Sequence, residues 1–255
     1  MKPIHIVILI TLLLALVLGG VLIFRSTETP QETEEREERE REEELETEEI
    51  PYDERLKEVV ESFIGLPQKS GALDEDTLYT ENGFDSTTLV LSSVAKTHSE
   101  EDPEEVMKKI NYYPSGEVSY ENRLHYSTYR NKVSEYFSDI TERVGGNRTE
   151  KKTVLLNKDR LIDIDWEEEI ELTYISSENV FYALPQLPFI CGVMFIADGD
   201  EEIGLDVRGE GILLNGVDMI YASSKEGEVV KVKFLDYLDE SGFSGVIFYE
   251  FIEVE

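Results

Sequence analysis

The stretch that most constrains the fold is residues 83–91, with the sequence GFDSTTLVL. Its opening glycine interrupts what precedes it, and Asp85 and Ser86 are residue types that favour the N-cap of a helix. Apolar residues then recur at helical spacing from Leu89 onward. The pattern therefore predicts a loop that enters a helix spanning residues 86–97.

The first turn of such a helix is a favourable place for a nucleophile. A side chain there lies at the positive end of the helix dipole, which stabilises a cysteine thiolate and so activates it. In this chain the residue at that position is Ser86. A serine hydroxyl is a much poorer nucleophile than a thiolate and needs an adjacent general base.

Residues 84–88, FDSTT, resemble the Phe-Asp-Cys-Thr-Thr signature of the N-acetylmuramoyl-L-alanine amidase-like family, a branch of the NlpC-type, papain-like cysteine peptidases. The resemblance covers most of residues 55–255 and implies an α+β fold. In that fold a helix carries the nucleophile and packs on an antiparallel, barrel-like sheet that carries the base. Further matching segments are NRLHY at 122–126, GLDVRGEGI at 204–212 and YASS at 221–224.

The resemblance also implies which residues form the site, and the family's catalytic residues are changed at these positions. Ser86 replaces the nucleophilic cysteine, Gly209 stands where the family has its histidine base, and Tyr221 replaces a second histidine. The neighbouring residues that the resemblance places in the binding cleft are Asp85, Thr87, Arg123, Tyr126 and Tyr221.

The loss of the imidazole removes the proton acceptor, an effect of about 10²–10⁴-fold on rate. His125 is the one candidate for a replacement, as the base of a Ser86–His125 dyad, because no histidine follows it in the sequence. The competing interpretation is that His125 stabilises a cleft wall. Glu210 is a weaker candidate base, and we expect it on a solvent-facing strand position.

The composition excludes several classes of function. A formal net charge of −32 argues against nucleic acid as a partner. The lone cysteine, Cys191, rules out an internal disulfide, and its apolar neighbours predict a buried, inert thiol. With three histidines and one cysteine, the sequence gives no reason to expect a metal or any other cofactor.

Residues 4–24 form an apolar run long enough to span a bilayer at about 1.5 Å per residue. No convincing signal-peptide cleavage site follows it, so we predict an uncleaved, single-pass anchor over residues 1–25. The lysine near the N-terminus weakly favours an extracytoplasmic C-terminal domain. If that domain is exported, Asn147 lies in a glycosylation sequon.

Residues 26–50 contain thirteen glutamates and three arginines and have no apolar stripe. Such a segment is typical of a solvated, self-repelling spacer, although recurrent Glu/Arg pairs also permit a single charged helix. We predict that the folded domain occupies residues 51–255.

Within that domain the sequence predicts helices first and antiparallel strands afterwards, which is typical of an α+β fold. Helices are expected at 52–64, 86–97, 102–110 and 134–144, with irregular or extended chain at 120–130. Strands are expected at 153–156, 169–174, 193–196, 211–214, 218–221, 229–234 and 246–251.

Three functions fit these patterns. The first is a membrane-anchored, catalytically silent amidase-like domain whose cleft binds a small ligand, peptide or glycopeptide. The second is an active amidase that uses Ser86. The third is an interaction module whose acidic face meets basic partners, in which case salt would weaken binding steeply.

Overall fold

The computed structural model describes residues 50–254 apart from residues 72, 74–76, 99–101, 115–116, 160–163 and 200–204. The predicted anchor and nearly all of the predicted acidic linker lie outside the described residues. Within the described residues, no helix has both the length and the apolar character needed to cross a membrane.

The helices of the described residues lie mostly in the first half of the domain. Short 3₁₀ turns form at Gly146–Arg148, Ser177–Tyr182 and Leu184–Gln186. The helices are α1 (Tyr52–Ser62), α2 (Ser86–Thr97), α3 (Pro103–Asn111), α4 (Ser127–Val133), α5 (Thr141–Gly145) and α6 (Phe234–Ser241).

The strands form one antiparallel sheet with the order β2-β3-β8-β4-β5-β6-β7, and β1 pairs with β8 as an additional strand. This confirms the predicted α+β class. The strands are β1 (Phe137–Asp139), β2 (Thr149–Asn157), β3 (Glu167–Ser176), β4 (Ile190–Ile196), β5 (Gly209–Leu214), β6 (Asp218–Ser223), β7 (Glu228–Lys233) and β8 (Gly245–Phe251).

The sheet is open, with β2 and β7 at its ends, where we had predicted a barrel-like sheet. Closure would require β7 to pair with β2, but the outer edge of β7 is already covered by the segment that follows α1. Gly65 N donates to Val229 O, and Val229 N donates to Leu66 O, each at 2.8 Å. This coverage satisfies edge groups that would otherwise attract another strand.

The alternation of side chains along the strands divides the core between the two faces of the sheet. Ile212 and Ile220 belong to the larger cluster, which also contains the buried face of α2. Leu213 and Met219, one position away on the same strands, belong to the second cluster, which packs against α6. Cys191 lies in this second cluster, where burial raises the pKa of its thiol, as expected for an inert cysteine.

The region from residue 120 to residue 144 differs from the prediction. A helix, α4, forms where irregular or extended chain was expected, and strand β1 interrupts the helix predicted at 134–144. Tyr126, the N-cap of α4, makes no side-chain capping bond, so the local sequence carries no clear signal for a helix start. Tertiary contacts stabilise α4 instead, and they involve residues of the candidate site.

Candidate functional site

Helix α2 begins at the predicted residue and places Ser86 in its first turn. Asp85 is the N-cap, and its Oδ1 accepts a hydrogen bond from Thr88 N at 2.7 Å. Leu89 N donates to Asp85 O at 3.0 Å and so closes the first helical turn. Asp85, predicted as a binding residue, therefore has an observed role as the cap that orients Ser86.

Two backbone amide groups at this helix start are candidates for contact with a ligand. Among the described residues, no hydrogen-bond acceptor is found for the backbone N–H groups of Ser86 and Thr87. Unpaired N–H groups at a helix start carry the positive end of the dipole and are suited to a carbonyl oxygen or an anion. Together with the half-buried Ser86 hydroxyl, they form a small cluster of polar groups.

Gly209 lies directly beside this cluster. A Cβ atom placed on Gly209 would lie 3.6 Å from Ser86 Oγ, which is ordinary van der Waals contact. A longer side chain at position 209 would therefore start beside the Ser86 hydroxyl, and a general base must come within hydrogen-bond reach of such a hydroxyl. Glycine offers no proton acceptor there.

Glu210, the next residue of β5, is 2% exposed, so the predicted solvent-facing position is wrong. Its carboxylate accepts hydrogen bonds from Arg130 Nη2 at 2.9 Å, Ser127 Oγ at 2.7 Å and Tyr249 Oη at 3.0 Å. Arg130 is 1% exposed. Burial alone would raise the pKa of Glu210, but the Arg130 charge and the hydrogen bonds hold that pKa below its ordinary value.

Thr87, the residue after Ser86, is half-buried and lies beside this buried cluster. Its side chain is near enough to the Glu210 carboxylate to help lower the pKa of Glu210. Thr87 thus lies between Ser86 and the buried cluster, and its contact with a ligand stays a prediction.

Tyr249 reaches Glu210 because the paired residue across the sheet is a glycine. Gly192 on β4 lies opposite Tyr249 on β8. A Cβ atom on Gly192 would lie 2.0 Å from the Tyr249 ring, so any other residue would displace this ring. Gly192 therefore allows Tyr249 to lie across β4 and donate to the Glu210 carboxylate.

Asp206 forms a second buried link between α4 and the region before β5. Its Oδ2 accepts from Thr128 N at 2.8 Å and from Thr128 Oγ1 at 2.7 Å. Burial raises the pKa of Asp206, although these hydrogen bonds oppose the rise. Both links use residues of α4, which explains how this helix forms without a local cap.

Two of the other predicted binding residues have structural contacts. Tyr126 is 1% exposed and lies in the core, and its predicted role in a cleft stays a prediction. Its hydroxyl accepts from Asn157 N at 3.1 Å and its ring stacks on Trp166. Arg123 Nη1 donates to Leu73 O at 3.3 Å and so ties its own loop to the loop before α2.

Tyr221 packs on the face of the sheet that carries the second cluster. Its ring centroid lies 4.6 Å from that of Tyr237, and its hydroxyl donates to Ser223 Oγ at 3.4 Å. If the register of β5 and β6 continues beyond Ile212↔Ile220, Tyr221 lies opposite residue 211. Residue 211 is two positions from Gly209 on β5. A cleft role for Tyr221 stays a prediction.

The histidines do not supply a base to Ser86 among the described residues. His125 Nε2 lies 2.7 Å from Tyr120 O, and no hydrogen bond joins His125 to Ser86. His98 is the C-cap of α2, about 18 Å from Ser86 along the helix axis at 1.5 Å per residue. His5 lies outside the described residues.

His125 should remain neutral through the physiological range. Burial lowers its pKa to about 4, below the unperturbed value of about 6.5. As the pH falls from about 6.5 to about 4, His125 becomes protonated in the unfolded chain but stays neutral in the folded domain. The free energy of unfolding should therefore decrease across this window.

An NMR titration of the imidazole resonances measures this pKa directly, and urea unfolding at several pH values measures the slope. The variant His125→Gln should lose the part of the slope that His125 contributes. A titration midpoint near 6.5 would contradict this assignment.

The sequence analysis missed the buried residues Arg130 and Asp206, and it did not predict the burial of Glu210. One signal for Glu210 was present, because it shares a strand face with Ile212 and Leu214, which both lie in the core. Arg130 had no such signal, since it lies on a short polar helix that the sequence did not predict.

Comparison with solved structures finds proteins of similar fold. A protein of Legionella pneumophila has a similar structure, with a TM-score of 0.69 and 20% identity over 88% of this chain and 96% of the other. An N-acetylmuramoyl-L-alanine amidase of Bacteroides uniformis is similar with a TM-score of 0.61 and 16% identity over 79% of this chain and 99% of the other. No protein of curated function matches by sequence. At such identities the structural matches establish the fold alone.

Residues 58–246 match the family described as N-acetylmuramoyl-L-alanine amidase-like. This match covers most of the chain and includes the helix start at Ser86 and the strand start at Gly209. The chain therefore belongs to the N-acetylmuramoyl-L-alanine amidase-like family.

Proposed function

We propose that this chain is a catalytically silent member of its family that binds a cell-wall-type muramoyl peptide or a related amide at Ser86 without cleaving it. The observation that carries the proposal is the position of Gly209. Gly209 has no side chain, whereas the Cβ atom of a basic residue at this position would lie 3.6 Å from Ser86 Oγ. Without a base, a serine hydroxyl at neutral pH is a weak nucleophile.

Binding can persist where catalysis is lost because it uses different groups. The amides of Ser86 and Thr87 and the Ser86 hydroxyl offer donors to a carbonyl oxygen of the ligand. The buried Arg130–Glu210 ion pair keeps β5 in place beside them. The site thus retains its polar donors and its support although it lacks the proton acceptor.

The proposal places the domain at a membrane through residues 1–25, on the extracytoplasmic side, with residues 26–50 as a spacer. Muramoyl peptides occur outside the cytoplasmic membrane, so this location would bring the site to its ligand.

Filling the space beside Ser86 should abolish binding. The variant Gly209→Trp places an indole against the Ser86 hydroxyl, and we expect the affinity for N-acetylmuramoyl-L-alanine to fall at least about tenfold, a cost of 1.4 kcal/mol or more. The matched control is Val217→Trp, because Val217 is 50% exposed in the turn after the far end of β5. Calorimetric titration of both variants and the wild-type protein provides the measurement.

Equal affinities for the two tryptophan variants would place the ligand away from Ser86. Failure of the wild-type protein to bind N-acetylmuramoyl-L-alanine or a longer muramoyl peptide would overturn the proposal and favour the acidic interaction module.

A further inference from the structure

A cavity of about 440 Å³ opens between β1 and β3, within the range of about 300–1,000 Å³ that is common for ligand pockets. Its walls include all three residues of β1, Phe137–Asp139, and the consecutive residues 170–173 of β3. The side chains of consecutive strand residues point to opposite faces of the sheet. A cavity that is lined by every residue along a strand therefore lies at the edge of that strand. Two strand edges therefore border this cavity.

The cavity exists because β1 and β3 share one edge of β8. Strand β3 pairs with the start of β8, at Ile175↔Val246, and β1 pairs with its end, from Asp139↔Tyr249 onward. The other edge of β8 is occupied by β4. Because β1 takes the place beside β8 that β3 would continue to fill, β3 leaves β8 and a gap opens between β1 and β3.

The hydrogen-bond ladder shows which backbone groups of β3 face the gap. Ser177 N donates to Ser244 O at 3.0 Å, so the odd-numbered residues of β3 direct their backbone groups toward the β8 side. In an antiparallel ladder this direction alternates along the strand. Glu171 and Thr173 therefore present their N–H and C=O groups to the gap.

The same reasoning applies to β1. Ile140 N donates to Phe248 O at 2.9 Å, and Ile252 N donates to Tyr136 O at 3.0 Å. Even-numbered residues of this segment thus bond β8, and Phe137 and Asp139 direct their backbone groups away from it.

Among the described residues, no hydrogen bond is found that ends on the gap-facing backbone groups of β1 or β3. A third donor at the gap is Asn131, whose Nδ2 is buried and has no partner among the described residues. Its Oδ1 accepts from Arg130 Nε at 3.1 Å and Nη2 at 3.0 Å, which fixes the orientation of the amide.

The floor of the gap is apolar and belongs to the main core cluster. Phe137, Ile170, Leu172 and Ile247 all line the cavity and are members of that cluster. An extended segment in the gap would place every second side chain on this floor and the others toward solvent.

We infer that this gap receives an extended peptide of a partner protein, which adds as a strand between β1 and β3 and places alternate apolar side chains on the floor. The gap-directed backbone groups of Glu171 and Thr173 on β3 and of Phe137 and Asp139 on β1 would pair with a strand on both of its edges. A compact ligand would leave most of these groups unpaired. The inference concerns a site separate from Ser86 and does not depend on the proposed function.

The test uses acetyl-KVTVKV-amide as the probe, with the same peptide N-methylated at its second and fourth residues as the control. Methylation removes amide donors and leaves the side chains unchanged. Each labelled peptide is titrated with the full-length chain and binding is followed by fluorescence anisotropy. The methylated peptide should bind at least tenfold more weakly.

A pair of proline variants locates the binding. Thr173→Pro removes an N–H that faces the gap and spares the β2–β3 ladder. Thr153→Pro is the matched control, since Thr153 pairs with Glu171 and its N–H faces outward from the terminal strand β2. We expect at least a tenfold loss of affinity for Thr173→Pro and none for Thr153→Pro.

The inference is overturned if the unmodified probe does not bind, if both peptides bind equally, or if the two proline variants lose affinity equally. Circular dichroism checks that each variant is folded. If Thr173→Pro does not fold, the comparison of the two peptides on the wild-type protein decides the matter alone.

Discussion

Replacing Glu210 with alanine should lower the free energy of unfolding by about 3–5 kcal/mol, because it leaves the buried Arg130 guanidinium without its counter-charge. Both side chains are excluded from solvent, at 1% and 0% exposure, so water cannot take over the lost interaction. Ser127 and Tyr249 would also lose their acceptor. Urea unfolding monitored by circular dichroism measures the change.

An exposed ion pair provides the control for Glu210→Ala. Glu105 pairs with Lys108 on α3 and its side chain is 58% exposed, so Glu105→Ala should cost no more than about 1 kcal/mol. The double variant Arg130→Met/Glu210→Leu should recover part of the loss, because apolar side chains can replace a buried pair at little cost. If Glu210→Ala is no more destabilising than Glu105→Ala, the buried pair does not support the site.

Returning two of the three changed residues, at positions 86 and 209, to the family's residue types should restore catalysis. The double variant Ser86→Cys/Gly209→His places a thiol at the positive end of α2 and an imidazole next to it. The Cβ of the new histidine is accommodated at 3.6 Å from Ser86 Oγ. We expect hydrolysis of N-acetylmuramoyl-L-alanine at least about 10²-fold faster than in Ser86→Cys alone, which is the lower range for a general base.

The control for this restoration is Ser86→Cys/Gly209→Gln, which has a polar side chain of comparable size and no base. Mass spectrometry of released L-alanine distinguishes the variants. Equal rates for the histidine and glutamine variants, both folded, would show that position 209 does not face a bound substrate, and would remove the main support for the proposed function.

The parts of the fold that the sequence predicted correctly are those with local causes. Helix α2 has a capping aspartate and an apolar stripe, and its observed bounds, Ser86–Thr97, match the prediction. The strands from β2 onward follow from alternating or β-rich patterns. Each of these signals involves residues that are close together in the chain.

The parts that were missed have tertiary causes. Helix α4 depends on bonds from Ser127 and Arg130 to Glu210, a residue about 80 positions away in the chain. Helix α6 begins at Phe234, which the apolar pattern assigned to the preceding strand. The open sheet depends on the segment after α1 that covers β7, and no local sequence pattern predicts that this segment pairs with β7.

The candidate site shows the same division. The resemblance identified Ser86 and Gly209, and the structure brings these residues together. It did not identify the buried cluster behind them, because a short sequence motif cannot show that Glu210 and Arg130, which are far apart in the chain, form an ion pair inside the domain. The core packing and the hydrogen bond of Tyr126 were likewise not visible in a segment for which the resemblance implied ligand contact.

The most direct test of the central claim is the turnover of the wild-type protein on N-acetylmuramoyl-L-alanine and longer muramoyl peptides, followed by mass spectrometry at ligand concentrations where calorimetry shows binding. The account predicts bound ligand and no release of L-alanine or peptide above the rate without protein. Release that is abolished by Ser86→Ala would contradict it and would show that this chain is an active amidase.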